Sequence, residues 1–338
     1  MINLALPQGF DHTSRRLPFF LAIEEWAARN LPRDNYFFSW QVDPTVICGR
    51  NQEIDKEVDL TYCRSNGIDV VRRRSGGGAV FADRQNFMFS FITAGDDVTE
   101  VFARYTRLIV DMLRSLGIDA EASGRNDITI HGRKVSGNAF YHLPGRSIAH
   151  GTMLYDFDPA HLATALTPSR AKLESKGVKS VPMRVTCLKN EGIRLSPAEF
   201  EKYAISHITT SVHTLSADDI SRIEKIEERY YDPAFLRIDA RQSAPNGGIV
   251  VRRRIIPAVG EFCIEYSLDT KKCFRDFSIS GDFFMKADVD TLLSRKMDGV
   301  SADRTTLAEY LDKLKVEELI PGLDSGTLLN MITENQNT

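Results

Sequence analysis

Residues 72–91, RRRSGGGAVFADRQNFMFSF, set three arginines and then three consecutive glycines between two strand-like stretches. Glycine reaches φ > 0 freely and lets a backbone approach a ligand closely, with free N–H groups turned toward it. Such a loop suits an anion, and the neighbouring arginines add to that preference. Two familiar phosphate loops are excluded. A Walker A loop closes on Gly-Lys-Ser/Thr, and this one closes on Gly-Ala-Val. A dinucleotide fingerprint needs a glycine where Phe81 stands and a helix after it, whereas Ala79, Val80 and Phe81 predict a strand. A bare triple glycine is more often a hairpin without a ligand; three arginines ahead of it favour a binding loop.

Periodicity supplies the frame around that loop. Leu17 to Asn30 predicts a helix, with Phe19, Phe20, Ile23, Trp26 and Ala27 on one face. Residues 36–49 predict strand, turn, strand, with Asp43-Pro44 at the turn, and a short helix follows from Lys56 to Ser65. IDVVRRR, AVFA and NFMFSFI predict strands. Residues 98–116 predict an amphipathic helix through Val101, Tyr105, Leu108, Ile109, Met112, Leu113 and Leu116, ended by Gly117. DITIHG, KVSGNAFYHL and HGTMLYDF predict strands joined by glycine-containing turns, and 197–230 reads as helical. The fold class expected is α+β (mixed α/β), with no regular βαβ repeat. The polar run DARQSAPNGG marks a linker near 238–249, so domains are expected at 1–240 and 247–338. Strands followed by two or three helices from about Ala287 predict a small α+β second domain.

A length of 338 residues agrees with a large domain plus a smaller one. A hydrophobic share of 42% against 26% charged supports a sizeable core. The net charge of -3 gives no basic field, which disfavours a general nucleic-acid binder. Five cysteines without a C-x-x-C pair point away from a disulfide framework or a structural zinc site, so no protein-held metal is expected. MINLALPQGF lacks a basic and apolar leader, and no stretch approaches the ~18 apolar residues of a membrane span. A cytoplasmic protein without a membrane partner is the expectation.

The second informative segment is 124–158, GRNDITIHGRKVSGNAFYHLPGRSIAHGTMLYDFD. Lys134 sits between a turn and an apolar strand, a context that holds a lysine in a cleft; an exposed lysine at a strand start is the plainer reading. Asn126-Asp127 fits a nucleotide or Mg²⁺, or merely an Asx turn. His150 in His-Gly-Thr reads as a buried histidine satisfied by a backbone carbonyl.

RRRSGGGAVF, GRNDITIHGRKVSGNA and HGTMLYDFD together, in this order and spacing, resemble the lipoate–protein ligase family, as do PTVICGRNQE before them and KGVKSVPMRVTCL after them. The resemblance runs from Pro18 to Leu188 and is faint in the second half. There NGGIVVRRRII follows ARQSAP where the family usually shows aromatic residues and a glycine. The three arginines at 252–254 read as a solvated edge strand, with an acidic acceptor surface as the alternative.

The resemblance implies a biotin/lipoate-ligase-like catalytic domain, a mixed sheet with flanking helices, and a C-terminal accessory domain. It implies an enzyme that uses ATP with Mg²⁺ to make lipoyl-AMP, then transfers the lipoyl group to a lysine of apo lipoyl domains of 2-oxo acid dehydrogenase acyltransferase subunits or of the glycine-cleavage H protein. Lys134 stands at the family's catalytic lysine, which contacts the lipoate carboxyl and the α-phosphate. Arg73, Gly76, Gly77, Gly78, Ala79, Val80 and Phe81 stand at the loop that holds ATP and lipoyl-AMP, and Asn126 and Asp127 at the pair near the nucleotide. Val71, Phe87, Phe89 and Phe91 are either lining of a lipoate tunnel or plain core. Two rival functions are an ATP-independent octanoyl or lipoyl transferase working through a cysteine, and a non-catalytic lipoyl or nucleotide binder. The transferase needs a reactive thiol, and Cys48 and Cys187 are the candidates, each flanked by apolar residues as an inert buried thiol would be.

Overall fold

The computed structural model describes residues 1–95, 97–123, 126–143, 145–156, 164–167, 184–236 and 248–333. It divides into two compact units. The first comprises Met1–Cys48, Ile54–Arg74 and Ala79–Arg237; the second comprises Gly49–Glu53, Ser75–Gly78 and Ile238–Thr338. Most of the expected linker, and all of KGVKSVPM, lie outside the described residues.

The first unit runs β1 (Ile2–Ala5), α1 (Leu17–Asn30), β2 (Tyr36–Trp40), β3 (Thr45–Cys48), α2 (Ile54–Glu57), α3 (Leu60–Ser65), β4 (Asp69–Arg72), β5 (Val80–Ala82), β6 (Asn86–Ile92) and α4 (Val98–Ser115). It continues with β7 (Ala120–Ser123), β8 (Asp127–Ile130), β9 (Arg133–Leu143), β10 (Arg146–Leu154), α5 (Pro197–Ile208), β11 (Ser211–Thr214), α6 (Ala217–Glu227) and α7 (Pro233–Leu236). Eight strands form one mixed sheet in the order β11-β1-β2-β6-β10-β9-β8-β7, and β4-β3-β5 form a second, smaller sheet.

Both faces of the large sheet are covered. Strand alternation sends Tyr36, Phe38, Trp40, Met88 and Ile92 to the face that α1 and α6 cover. Phe37, Phe87 and Phe89 point the other way; Phe87 and Phe89 pack with Phe200 of α5 and Phe37 with Phe89, while Phe91 meets Tyr105 of α4. Phe87, Phe89 and Phe91 are thus core in the described structure. Burial on both faces explains why all seven residues of β6 are buried and why it reads as an almost unbroken apolar run.

Helix α1 has the expected bounds, and it packs against α6 as well as against the sheet, so that it is buried nearly all round, Glu24 and Glu25 included. A helical expectation needs correction. The stretch 197–230 is not one helical region: β11 interrupts it and pairs in parallel with β1. Local caps define the flanking helices. Ser196 with Glu199 and Ser216 with Asp219 each form a capping box, and Pro197 opens α5. Asp97 caps α4, and Gly117, at φ +79°, lets the chain leave it.

In the second unit β12 (Val250–Ile256), β13 (Gly260–Leu268) and β14 (Phe274–Gly281) form an antiparallel meander. Helices α8 (Arg295–Met297), α9 (Arg304–Leu314), α10 (Val316–Leu319) and α11 (Ser325–Thr333) follow, and their apolar residues share a core with the sheet. Strand β12 is an edge strand, and Arg253 and Arg254 are exposed on it. No helix among the described residues is long and apolar enough to cross a membrane.

Candidate active site

The hairpin β8–β9 carries the strongest sequence candidate. His131 and Gly132 turn it with φ of +51° and +73°, as a tight two-residue turn requires. Beyond the turn the register slips: Ile130 faces Arg133 and Thr129 faces Lys134, but Ile128 faces Ser136 and Asp127 faces Gly137. Val135 is therefore an extra residue, a β-bulge. In a regular strand Lys134 and Gly137 lie on opposite faces, and one inserted residue restores them to the same face.

Lys134 then folds back over Gly137. A Cβ on Gly137 would stand 2.2 Å from Lys134 Nζ and 2.4 Å from its Cε. The ammonium reaches Asp127 Oδ1 at 2.9 Å, and the Arg184 guanidinium binds Asp127 Oδ2. Burial pulls the Lys134 ammonium below the ordinary lysine range, the charges of Arg184 and Arg73 act in the same direction, and Asp127 opposes them. Four charged groups thus converge: Lys134, Asp127, Arg184 and Arg73.

The remaining sequence candidates divide. Arg73 is buried, donates from Nη1 to the Ile47 carbonyl at 2.9 Å, and is lowered to about 10 by burial. Its neighbours serve the scaffold: Arg72 donates to the Leu236 carbonyl at 3.0 Å, and Arg74 pairs with buried Glu25 at 2.8 Å. Asn126 lies at the start of the hairpin with its amide donating to the Asn138 carbonyl at 2.8 Å, and Asn138 Nδ2 donates back to the Asn126 carbonyl at 3.0 Å. Phe81 is buried on β5, which pairs with β3, and Ala79 and Val80 are half-buried. The strand expected after the glycines is present. Gly76, Gly77 and Gly78 belong to the second unit, where the Gly77 N–H donates to the Phe283 carbonyl at 3.0 Å.

His150 of His-Gly-Thr is buried, as expected, and its Nδ1 meets the Glu24 carboxyl at 2.9 and 3.0 Å. Ser90 Oγ donates to the same carboxyl at 2.5 Å and accepts from Trp40 Nε1 at 2.9 Å. Gly151 leaves room for Asn138, whose Oδ1 would lie 1.9 Å from an added Cβ. Thr152 Oγ1 accepts from the Gly137 N–H at 3.3 Å. Glu24, Gly137 and Arg184 were not singled out in sequence. Only Gly137 had a local signal, a glycine three residues after a lysine inside a strand. The thiols of Cys48 and Cys187 are buried and pushed up by that burial, Cys48 to about 12.

A mixed sheet enclosed by helices, a bulged hairpin carrying a lysine, and a small α+β second unit define a biotin/lipoate-ligase-type protein. The model "Lipoyl protein ligase A/B catalytic domain" matches residues 18–209, and "Bacterial lipoate protein ligase C-terminus" matches 252–332, where the sequence resemblance was faint. The chain belongs to the lipoate–protein ligase family. It is 35% identical over 327 residues to lipoate-protein ligase LplJ of Bacillus subtilis, covering 92% of this chain and 95% of that one. It is 34% identical to lipoate–protein ligase 1 of Staphylococcus aureus, over 93% and 95% of the two chains. A crystal structure of P. falciparum LipL1 in complex with lipoate matches with a TM-score of 0.76, covering 98% of this chain and 97% of that one; at 18% identity this is a likeness of fold. A bipartite lipoate protein ligase of Thermoplasma acidophilum, described with its E2 lipoyl domain, matches at 26% identity and a TM-score of 0.60, over 72% and 98%.

Proposed function

We propose that this chain adenylates lipoate with MgATP and then passes the lipoyl group from lipoyl-AMP to a lysine of an acceptor lipoyl domain. The single observation that carries this reading is Lys134, a largely buried ammonium seated over Gly137 by the bulge, with Arg73 close by.

A carboxylate is a poor acyl donor because oxide is a poor leaving group. Attack of a lipoate oxygen on the α-phosphorus breaks the bond to pyrophosphate and forms a mixed anhydride. Two anions must meet, and a fixed cation between them stabilises the charge that gathers on the phosphate oxygens. Lys134 fills that role. In the second step a neutral acceptor amine attacks the acyl carbon, AMP leaves, and the amine loses its proton as the amide forms. Lys134 then stabilises the departing phosphate. Positioning supplies much of the rate, and no covalent enzyme intermediate is needed. Arg73 and the segment Gly76–Phe81 are proposed to hold ATP and lipoyl-AMP, with Asn126 and Asp127 near the nucleotide. Mg²⁺ enters as the counter-ion of ATP. The T. acidophilum relative's description with an E2 lipoyl domain supports lipoyl-domain acceptors, and the glycine-cleavage H protein is a further proposed acceptor. The catalytic domain is proposed to span 1–240 and the accessory domain 247–338, in a cytoplasmic enzyme.

A transferase working through a thioester is not favoured. Its nucleophile must ionise, and burial holds Cys48 and Cys187 in the thiol form. The test is lipoate-dependent exchange of labelled pyrophosphate into ATP without acceptor. Lys134→Ala should lower exchange by roughly a hundredfold or more, by analogy with removal of an oxyanion donor, while circular dichroism shows a retained fold. Normal exchange in that variant would remove Lys134 from the mechanism.

A further inference from the structure

We propose that Arg184 is a positioning residue for Lys134: by taking one oxygen of Asp127 it keeps that carboxylate from neutralising the lysine that the reacting anions must reach. This rests on the assignment of Lys134 to the reacting centre.

Charge balance is the first support. The Lys134–Asp127 pair alone sums to zero, and Arg73 then gives the cluster one net positive charge. With Arg184 on Asp127 Oδ2 and Lys134 on Oδ1, three cations and one carboxylate leave two net positive charges for an incoming carboxylate or phosphate. Each carboxylate oxygen has its own cation, so Lys134 can turn toward a ligand without leaving Asp127 uncompensated in a site that is only 13% exposed at that side chain.

Placement is the second. Val185 forms an isolated parallel bridge with Lys134, and the Thr186 N–H donates to the Lys134 carbonyl at 2.8 Å. The segment is held farther along as well: Thr186 Oγ1 and Arg133 Nη2 both donate to Glu191 Oε1, at 2.5 and 2.7 Å, and the Leu188 N–H donates to the Leu154 carbonyl at 2.8 Å. Arg184 is therefore fixed beside Lys134 by main-chain bonds, and its guanidinium is directed at the carboxylate that Lys134 uses. Arginine suits this task because its planar fork engages a carboxylate directionally and it stays charged.

The proposal is tested by a double-mutant cycle in the full-length enzyme, read by pyrophosphate exchange with kcat and KM for ATP and lipoate resolved. Arg184→Gln should lower kcat about tenfold with KM little changed, and Arg184→Lys should restore most of it. In an Asp127→Asn background, where no carboxylate competes for Lys134, Arg184→Gln should cost less than about twofold. The same tenfold loss in both backgrounds, or a loss seen mainly as a raised KM for ATP, would overturn the inference by showing that Arg184 acts on the substrate directly. Wild-type kcat in Arg184→Gln would overturn it too. The assignment of Lys134 is judged separately: loss of exchange in Lys134→Ala with normal Arg184→Gln kinetics rejects only this inference, and normal exchange in Lys134→Ala rejects both.

Discussion

Gly137 is the residue on which the geometry of Lys134 depends. Its missing side chain is the space that the lysine occupies, so Gly137→Ala sets a methyl group 2.2 Å from the ammonium nitrogen. The obstructed atoms are the end of a flexible chain, which can swing away at small cost to the fold. Gly137→Ala is therefore expected to lose pyrophosphate exchange nearly as fully as Lys134→Ala, while its thermal midpoint stays within a few degrees of wild type. A midpoint that falls steeply with activity would mean that Gly137 serves packing instead. The lysine itself was legible in the sequence through its block of neighbours. Its seat was not, because a bulge shows only when two strands are paired and their registers compared. Arg184 was hidden for a related reason: it stands 50 positions from Lys134 and acts through Asp127, so no local pattern announces it.

At the scale of elements, sheet and helix packing makes demands that local patterns do not show. Strand β11 has four residues, mostly exposed, and forms by pairing with β1 some 209 positions away. Such a strand carries almost no alternation to read, whereas α1, α4, β6 and the meander of the second unit were legible because long periodic or apolar runs define them. The apolar join between α1 and the sheet carries a buried polar cluster. Glu24 of α1 is fully buried and meets His150 of β10, Ser90 of β6 and Tyr141 of β9. His150→Ala removes two contacts of a buried carboxyl. The expected cost is about 1–3 kcal/mol of stability. In urea denaturation this appears as a lower midpoint at unchanged slope, and an unchanged midpoint would show that Ser90 and Tyr141 suffice.

At the scale of the whole molecule, the second unit is not one continuous stretch of chain. It takes Gly49–Glu53 and Ser75–Gly78 from the first half of the sequence, including the three consecutive glycines. Within that unit the Asn51 carbonyl accepts the Gly281 N–H at 2.9 Å, Ser280 Oγ donates to Glu53 Oε1 at 2.6 Å, and the Gly77 N–H donates to the Phe283 carbonyl at 3.0 Å. The glycine run was legible as a place of close approach, but the group that approaches it in this structure is a main-chain carbonyl more than two hundred positions away, which no motif records. Gly76 is the tightest point. An added Cβ would stand 2.3 Å from the Phe283 carbonyl oxygen and 3.0 Å from the Phe284 Cα, both main-chain atoms that cannot step aside as the lysine over Gly137 can. Gly76→Ala should therefore destabilise this unit by about 1–3 kcal/mol through overpacking. The two tryptophans, Trp26 and Trp40, both lie in the first unit, so their fluorescence reports on that unit alone. Hydrogen exchange at the Gly77 and Gly281 amides reports on the second. Exchange there should quicken by roughly tenfold to a hundredfold in Gly76→Ala, with a smaller change in the tryptophan unfolding midpoint. If protection at both amides is unchanged, the main chain at Phe283 and Phe284 accommodates the added methyl group, and the close approach at Gly76 does not limit the stability of this unit.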